Sequence, residues 1–193
     1  MESEPVQTVF QLASHLLQYP DGKWREAVKS YRSLIAEIEE ERIARVLSLF
    51  LKAVEQENPD KFSERYVQTF DFNKKTNLYL TYAQYGDHRQ RGKALLQLKR
   101  LYERMGLVIS ERELPDYLPL MLEFAAVAPL DAAKEALSPY RVQIETIRNQ
   151  LVKMENPYAW VLDAVLMAMD VAGMEHLQEG GHDSWTGQRN YSG

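Results

Sequence analysis

Apolar residues recur with helical spacing along nearly the whole chain, and this regularity sets the fold class. Val6, Val9, Phe10, Ala13, Leu16 and Leu17 fall at i, i+3, i+4, i+7, i+10 and i+11, one face of a helix. Tyr19-Pro20-Asp21-Gly22 closes that stripe with turn residues. Trp24, Ala27, Val28, Tyr31, Leu34, Ile35 and Ile38 form the next stripe. Ile43, Val46, Leu47, Phe50, Leu51 and Val54 form a third, stopped by Asn58-Pro59. A fourth helix is expected from about Pro59 to Phe70 and a fifth from about Lys75 to Tyr85. Leu95, Leu98, Leu101, Tyr102 and Met105 mark a sixth, with Gly106 placed as a left-handed C-cap. Asp116 is positioned to N-cap the following helix, whose first turn tolerates Pro119. Ser138-Pro139 and Asn156-Pro157 have the form of N-cap plus N1-proline pairs that open two more helices. No window keeps period-2 alternation between hairpin turns, and no repeat of 20–50 residues is visible. The expectation is an all-α, single globular domain of about eight or nine helices over residues 1–173. A poorly ordered polar tail is expected over 174–193.

Composition narrows the function. A chain of 193 residues, 45% hydrophobic, can enclose one self-sufficient core. With no cysteine, disulfide scaffolds, thiolate metal sites and cysteine nucleophiles are all excluded. The opening MESEPVQTVF has neither the basic nor the apolar part of a secretory signal. The longest apolar run, Trp160 to Ala172, is interrupted by Asp163 and Asp170, short of a bilayer span. A cytoplasmic protein without stable membrane insertion is expected.

Phosphate loops, dinucleotide fingerprints, GxSxG elbows and HExxH helices are all missing, so no enzymatic activity is expected. The four histidines, His15, His88, His176 and His182, are scattered without ligand spacing. Neither a metal site nor a cofactor is expected, and a pair such as His182 with Asp183 most simply reads as solvated tail. The formal net charge of −5 argues against nucleic acid as a partner. That charge is uneven. Lys61 to Arg104 holds ten bases against four acids, whereas Met105 to Glu135 holds six acids against two bases. Solvated helix faces explain such segregation, and so does an acidic surface that meets a cationic partner.

Two stretches stand out. Seven aromatic residues fall between Phe62 and Tyr85, among them Tyr66 and Phe70 at i, i+4 and Tyr79, Tyr82 and Tyr85 at i, i+3 steps. Most such rings pack into a core, but the tyrosine hydroxyls also suit a groove rim that recognises a peptide. The second stretch, ELPDYLPLMLEFAA from Glu113 to Ala126, sets Asp116 and Glu123 on one side of a helix, with Tyr117 on the remaining arc. Two acids beside an aromatic face would suit a basic, apolar peptide.

The string YVQTFDFNKKTNLYLTYAQYGDHRQRGKALLQLKRLYERMGL, followed by ELPDYLPLMLEFAA, resembles the NarJ-type branch of the TorD-like redox-enzyme maturation proteins, the respiratory nitrate reductase assembly chaperones. The likeness covers Tyr66 to about Pro129, and the LLQYP turn at Leu16–Pro20 is compatible with it. Related chaperones carry an E-P-x-D-H element. Here Glu113-Leu114-Pro115-Asp116-Tyr117 keeps the two acids, shifts the proline by one and replaces His by Tyr. The Y-x-x-x-F feature of the family maps onto Tyr66 and Phe70. The resemblance implies an all-helical, cytoplasmic, non-catalytic chaperone. Its partner would be the catalytic (alpha) subunit of nitrate reductase, held until its molybdenum cofactor is inserted and kept from early membrane assembly. The client's N-terminal segment would dock at Tyr66, Phe70, Tyr79, Tyr82, Tyr85, Asp116, Tyr117 and Glu123. A chaperone for a different molybdoenzyme, or an all-helical regulatory or nucleic-acid adaptor, remains the alternative.

Overall fold

The computed structural model describes residues 5–85, 89–110 and 113–174. All regular elements among them are helical. In chain order they are α1 (Pro5–Leu16), α2 (Gly22–Ala36), α3 (Glu41–Gln56), α4 (Pro59–Tyr66), α5 (Leu80–Tyr85), α6 (Arg89–Arg104), α7 (Leu118–Val127), α8 (Leu130–Leu137), α9 (Arg141–Lys153) and α10 (Tyr158–Val171). A π turn, Val67–Asp71, continues α4, and a 3-10 turn, Ser138–Tyr140, joins α8 to α9.

The core is organised around α10. Tyr158, Ala159, Val161, Leu162, Ala164, Val165, Ala168 and Met169 are all buried. A helix apolar on nearly every side needs neighbours all round, and α10 has α1, α3 and α9 against it. The α1 stripe is buried from Val6 through Leu17, packing against α7 as well as α10. Polar bonds fix these contacts. Ser14 Oγ donates to the Pro119 carbonyl at 2.7 Å, and Trp24 Nε1 donates to the His15 carbonyl at 2.7 Å. Asp21 caps α2 by accepting from the Trp24 N–H at 2.7 Å.

Five rings meet at the foot of α10. Tyr158 lies with its centroid 5.1 Å from Phe50, 5.5 Å from Phe62, 5.7 Å from Tyr66 and 5.0 Å from Phe70. The Tyr158 hydroxyl is buried there with no hydrogen-bond partner among the described residues, and burial pushes its pKa well above the usual phenol value. An orphaned buried hydroxyl costs stability that a phenyl ring does not. Tyr158→Phe is therefore expected to stabilise the fold by about 1 kcal/mol, raising Tm by roughly 2–4 °C. Urea and thermal unfolding check this. A lower midpoint would show that the hydroxyl is satisfied.

Several local expectations are corrected. The fourth helix is α-helical only to Tyr66 before the π turn takes over. The turn buries Phe70 and leaves Phe72 81% exposed. The fifth begins at Leu80 rather than near Lys75. Asn73 Oδ1 accepts from the Lys75 N–H and Asn77 Oδ1 from the Tyr79 N–H, and these side-chain turns compete successfully with the helix. Ser138 ends α8 instead of opening α9, the 3-10 turn carrying the chain on without a break. Asn156 caps α10 one position early, its Oδ1 accepting from the Tyr158 N–H at 3.1 Å. After α10 the chain turns back on the helix. Gly173 takes φ +66, Met174 folds back with its N–H on the Met169 carbonyl at 2.8 Å, and its side chain is buried. The rest of the expected tail, 175–193, lies outside the described residues.

Candidate functional site

The two stretches singled out in the sequence lie side by side. Leu80 donates its N–H to the Asp116 carbonyl at 3.0 Å, and Leu118 donates to the Leu78 carbonyl at 2.9 Å. Between these bonds Tyr79 and Tyr117 form an isolated antiparallel bridge, their rings 5.1 Å apart. Tyr117 reaches on to the Tyr66 hydroxyl at 3.4 Å, and Tyr66 donates to the Leu17 carbonyl at 2.9 Å. Desolvation by burial raises the pKa of both Tyr66 and Tyr117 above the ordinary phenol value, so both stay protonated at neutral pH. Tyr102 adds a tie from α6, donating to the Pro115 carbonyl at 2.8 Å.

Asp116 is the node of this junction, and its role differs from the one expected. It is fully buried. Tyr117, which makes no side-chain cap, occupies the N-cap position of α7. The Asp116 carboxylate turns away from α7 because a better set of donors lies across the junction. Its Oδ2 accepts from Thr81 Oγ1 at 2.6 Å and from the Thr81 N–H at 3.2 Å, and Arg91 Nη2 stands 4.0 Å away. Its Oδ1 is buried without a partner among the described residues. Arg91 Nε donates to Thr81 Oγ1 at 3.3 Å, and the guanidinium lies 5.4 Å over the Tyr82 ring. Asp116 thus ties α5, α6 and the entry to α7 together.

The expected site residues therefore separate. Tyr66 and Phe70, each 4% exposed, belong to the core instead of a groove rim. Asp116 lies before α7 begins, so helical spacing does not align it with Glu123, and its burial removes it from any outward acidic face. Tyr79, Tyr82, Tyr85 and Tyr117 are half-buried. Glu123 is exposed and borders two grooves, one shared with α1 and α2 and one running along the segment after α6.

That second groove is the more apolar feature, and sequence patterning missed it. Gly106, at φ +78, ends α6 sharply, and the Leu107 N–H returns to the Tyr102 carbonyl at 2.9 Å. The chain then runs beside α7, enclosing about 400 Å³ bordered by Leu107, Val108, Glu113, Leu120, Glu123 and Val127. Val108 is 92% exposed and Val127 60%. An apolar run just after a helix-ending glycine, on no helical stripe, was the available signal. Among the described residues, no group of His, Cys, Asp and Glu could hold a metal ion. No described helix is long and apolar enough to cross a membrane.

The model of the nitrate reductase delta subunit family matches residues 21–162. The chain belongs to this family. It is 41% identical over 180 residues to the probable nitrate reductase molybdenum cofactor assembly chaperone NarJ of Bacillus subtilis, covering 93% of this chain and 98% of that one. It is 31% identical over 163 residues to the nitrate reductase molybdenum cofactor assembly chaperone NarJ of Escherichia coli K12, covering 83% and 69%. A crystal structure from Archaeoglobus fulgidus, assigned to the redox enzyme maturation proteins, superposes with TM-score 0.61 at 20% identity, covering 88% of this chain and 96% of that one. That likeness establishes the shared fold. The two corresponding stretches of sequence thus fall within the family match and meet at the Asp116 junction.

Proposed function

We propose that this chain is a system-specific chaperone for nitrate reductase. It binds the cofactor-free catalytic subunit, including that subunit's N-terminal segment, supports molybdenum cofactor insertion and prevents premature assembly at the membrane. It acts in the cytoplasm, by binding alone. The observation that carries this reading is the near full-length 41% identity to a chain named as such a chaperone.

The N-terminal segment of the client docks in the groove that Leu107, Val108, Ile109 and Glu113 form with α7. Two features support this placement. Val108 and Val127 expose apolar surface that water solvates poorly, and Glu113 and Glu123 border it with negative charge. A short basic, apolar peptide satisfies both. The half-buried Tyr79 and Tyr117 support the same surface indirectly, bridging the 77–85 segment to the entry of α7.

Calorimetric titration with a synthetic peptide of the client N-terminus tests the reading. Val108→Asp is expected to weaken binding on the order of tenfold, since it puts a charge into the apolar contact. Glu123→Gln should slow association a few-fold at low salt and have little effect above ~0.15 M, where screening already removes the attraction. Equal binding by both variants, with melts like the parent's, would contradict the placement. Failure of the parent chain to bind the peptide would remove the N-terminal segment from the reading, and failure to bind the whole cofactor-free subunit as well would remove the reading itself.

A further inference from the structure

The charge segregation in the sequence has a structural counterpart on α6, which carries six bases against one acid, Glu103. Two of the six are used internally. Arg91 serves the Asp116 junction, and Arg104 donates from Nη2 to both carboxylate oxygens of Glu135, at 2.7 and 2.8 Å. The other four, Arg89, Lys93, Lys99 and Arg100, are exposed. None of them has an ion-pair partner among the described residues. Arg89, Lys93 and Arg100 stand at i, i+4 and i+11 of the helix, and Leu96 at i+7 lies among them, 48% exposed. At 100° per residue these four positions fall within about 60° of one another, a single outward stripe of three cations around an apolar side chain. Like charges so spaced repel one another, a cost that a folded chain relieves by interleaving acids. Here the one acid of the helix, Glu103, flanks the stripe at its C-terminal end, three residues beyond Arg100, and no acid of the helix is interleaved between Arg89 and Arg100, while the chain as a whole is at −5.

We infer that the outward face of α6 is a second docking surface, and that its partner is an acidic, partly apolar surface segment of the client protein. The inference rests on the chaperone reading but not on the groove beside α7. The overall charge selects among polyanions. A nucleic acid or an anionic membrane is large enough to face the whole negative chain, whereas a short acidic segment of a protein meets the stripe within a Debye length of ~8 Å. Leu96 in the middle of the stripe supplies the apolar contact that a purely ionic partner would not need. The arrangement gives the chaperone two separate holds of opposite charge on one client, which raises the effective concentration of each for the other.

The test compares the parent with an Arg89→Gln/Lys93→Gln/Arg100→Gln triple variant. None of these residues borders the groove beside α7, and all are exposed, so the variant should melt like the parent. Two probes are used: the purified cofactor-free catalytic subunit and the isolated N-terminal peptide. The variant is expected to bind the whole subunit on the order of tenfold more weakly in low salt, with a flattened salt dependence, and to bind the peptide as the parent does. Equal binding of the whole subunit by both chains would overturn the inference. So would binding of transfer RNA or phosphatidylglycerol vesicles at ~0.15 M salt by the parent alone, with the subunit bound equally by both chains. If the parent binds neither protein probe, the chaperone reading fails and this inference falls with it.

Discussion

Asp116→Ala is expected to cost about 3 kcal/mol of stability, lowering Tm by roughly 6–12 °C. The cost arises from what the substitution leaves behind. The Thr81 N–H and hydroxyl lose their acceptor, and Arg91, its side chain only 23% exposed, loses the carboxylate 4.0 Å away. A buried donor stripped of its partner keeps its desolvation penalty, and a half-buried guanidinium keeps a larger one. Asp116→Asn retains an oxygen for Thr81 but not the charge facing Arg91, so a smaller loss of about 1–2 kcal/mol is expected. Urea midpoints for the two variants should fall in that order. An Asp116→Ala chain that unfolds at the parent's midpoint would show that the carboxylate does not hold α5, α6 and α7 together. The distinction matters for function, because a loss of client binding by an Asp116 variant then reflects a loosened junction and not a lost contact to the client.

Helical periodicity made most of the fold legible. The α1 stripe is buried at every position read from it, and the all-helical expectation holds throughout the described residues. Periodicity is a local property, and the corrections are where nonlocal partners decide. Asp116 has the residue type and position of an N-cap, yet a donor set 35 residues earlier in the chain captures it. Tyr66 and Phe70 look the same on a helical wheel whether they rim a groove or close a core. The arrival of Tyr158 from α10 decides between the two. The onset of α5 was legible in part, since Asn73 and Asn77 are residues that make turns with their own side chains. The groove beside α7 depends on where the chain goes after Gly106, which no periodic pattern records.

On the proposed function, a chaperone that holds an unfinished enzyme and lets the finished one go must distinguish two states of one client. Tight binding to both would trap the product, and a partner with equal affinity for two states shifts neither. Release on completion therefore requires that cofactor insertion remove or cover surface the chaperone uses. A preference of at least about 100-fold, about 2.7 kcal/mol, would make release effectively complete when the two forms compete for the chaperone. The N-terminal peptide alone cannot report this preference, since it carries no cofactor. The whole catalytic subunit can.

The most direct measurement is a titration of the purified chain with the nitrate reductase catalytic subunit in two forms, one lacking its molybdenum cofactor and one loaded with it. Binding to the cofactor-free form at least about 100-fold tighter than to the loaded form is the predicted result. Equal affinity for the two forms, or tighter binding to the loaded one, would contradict the account.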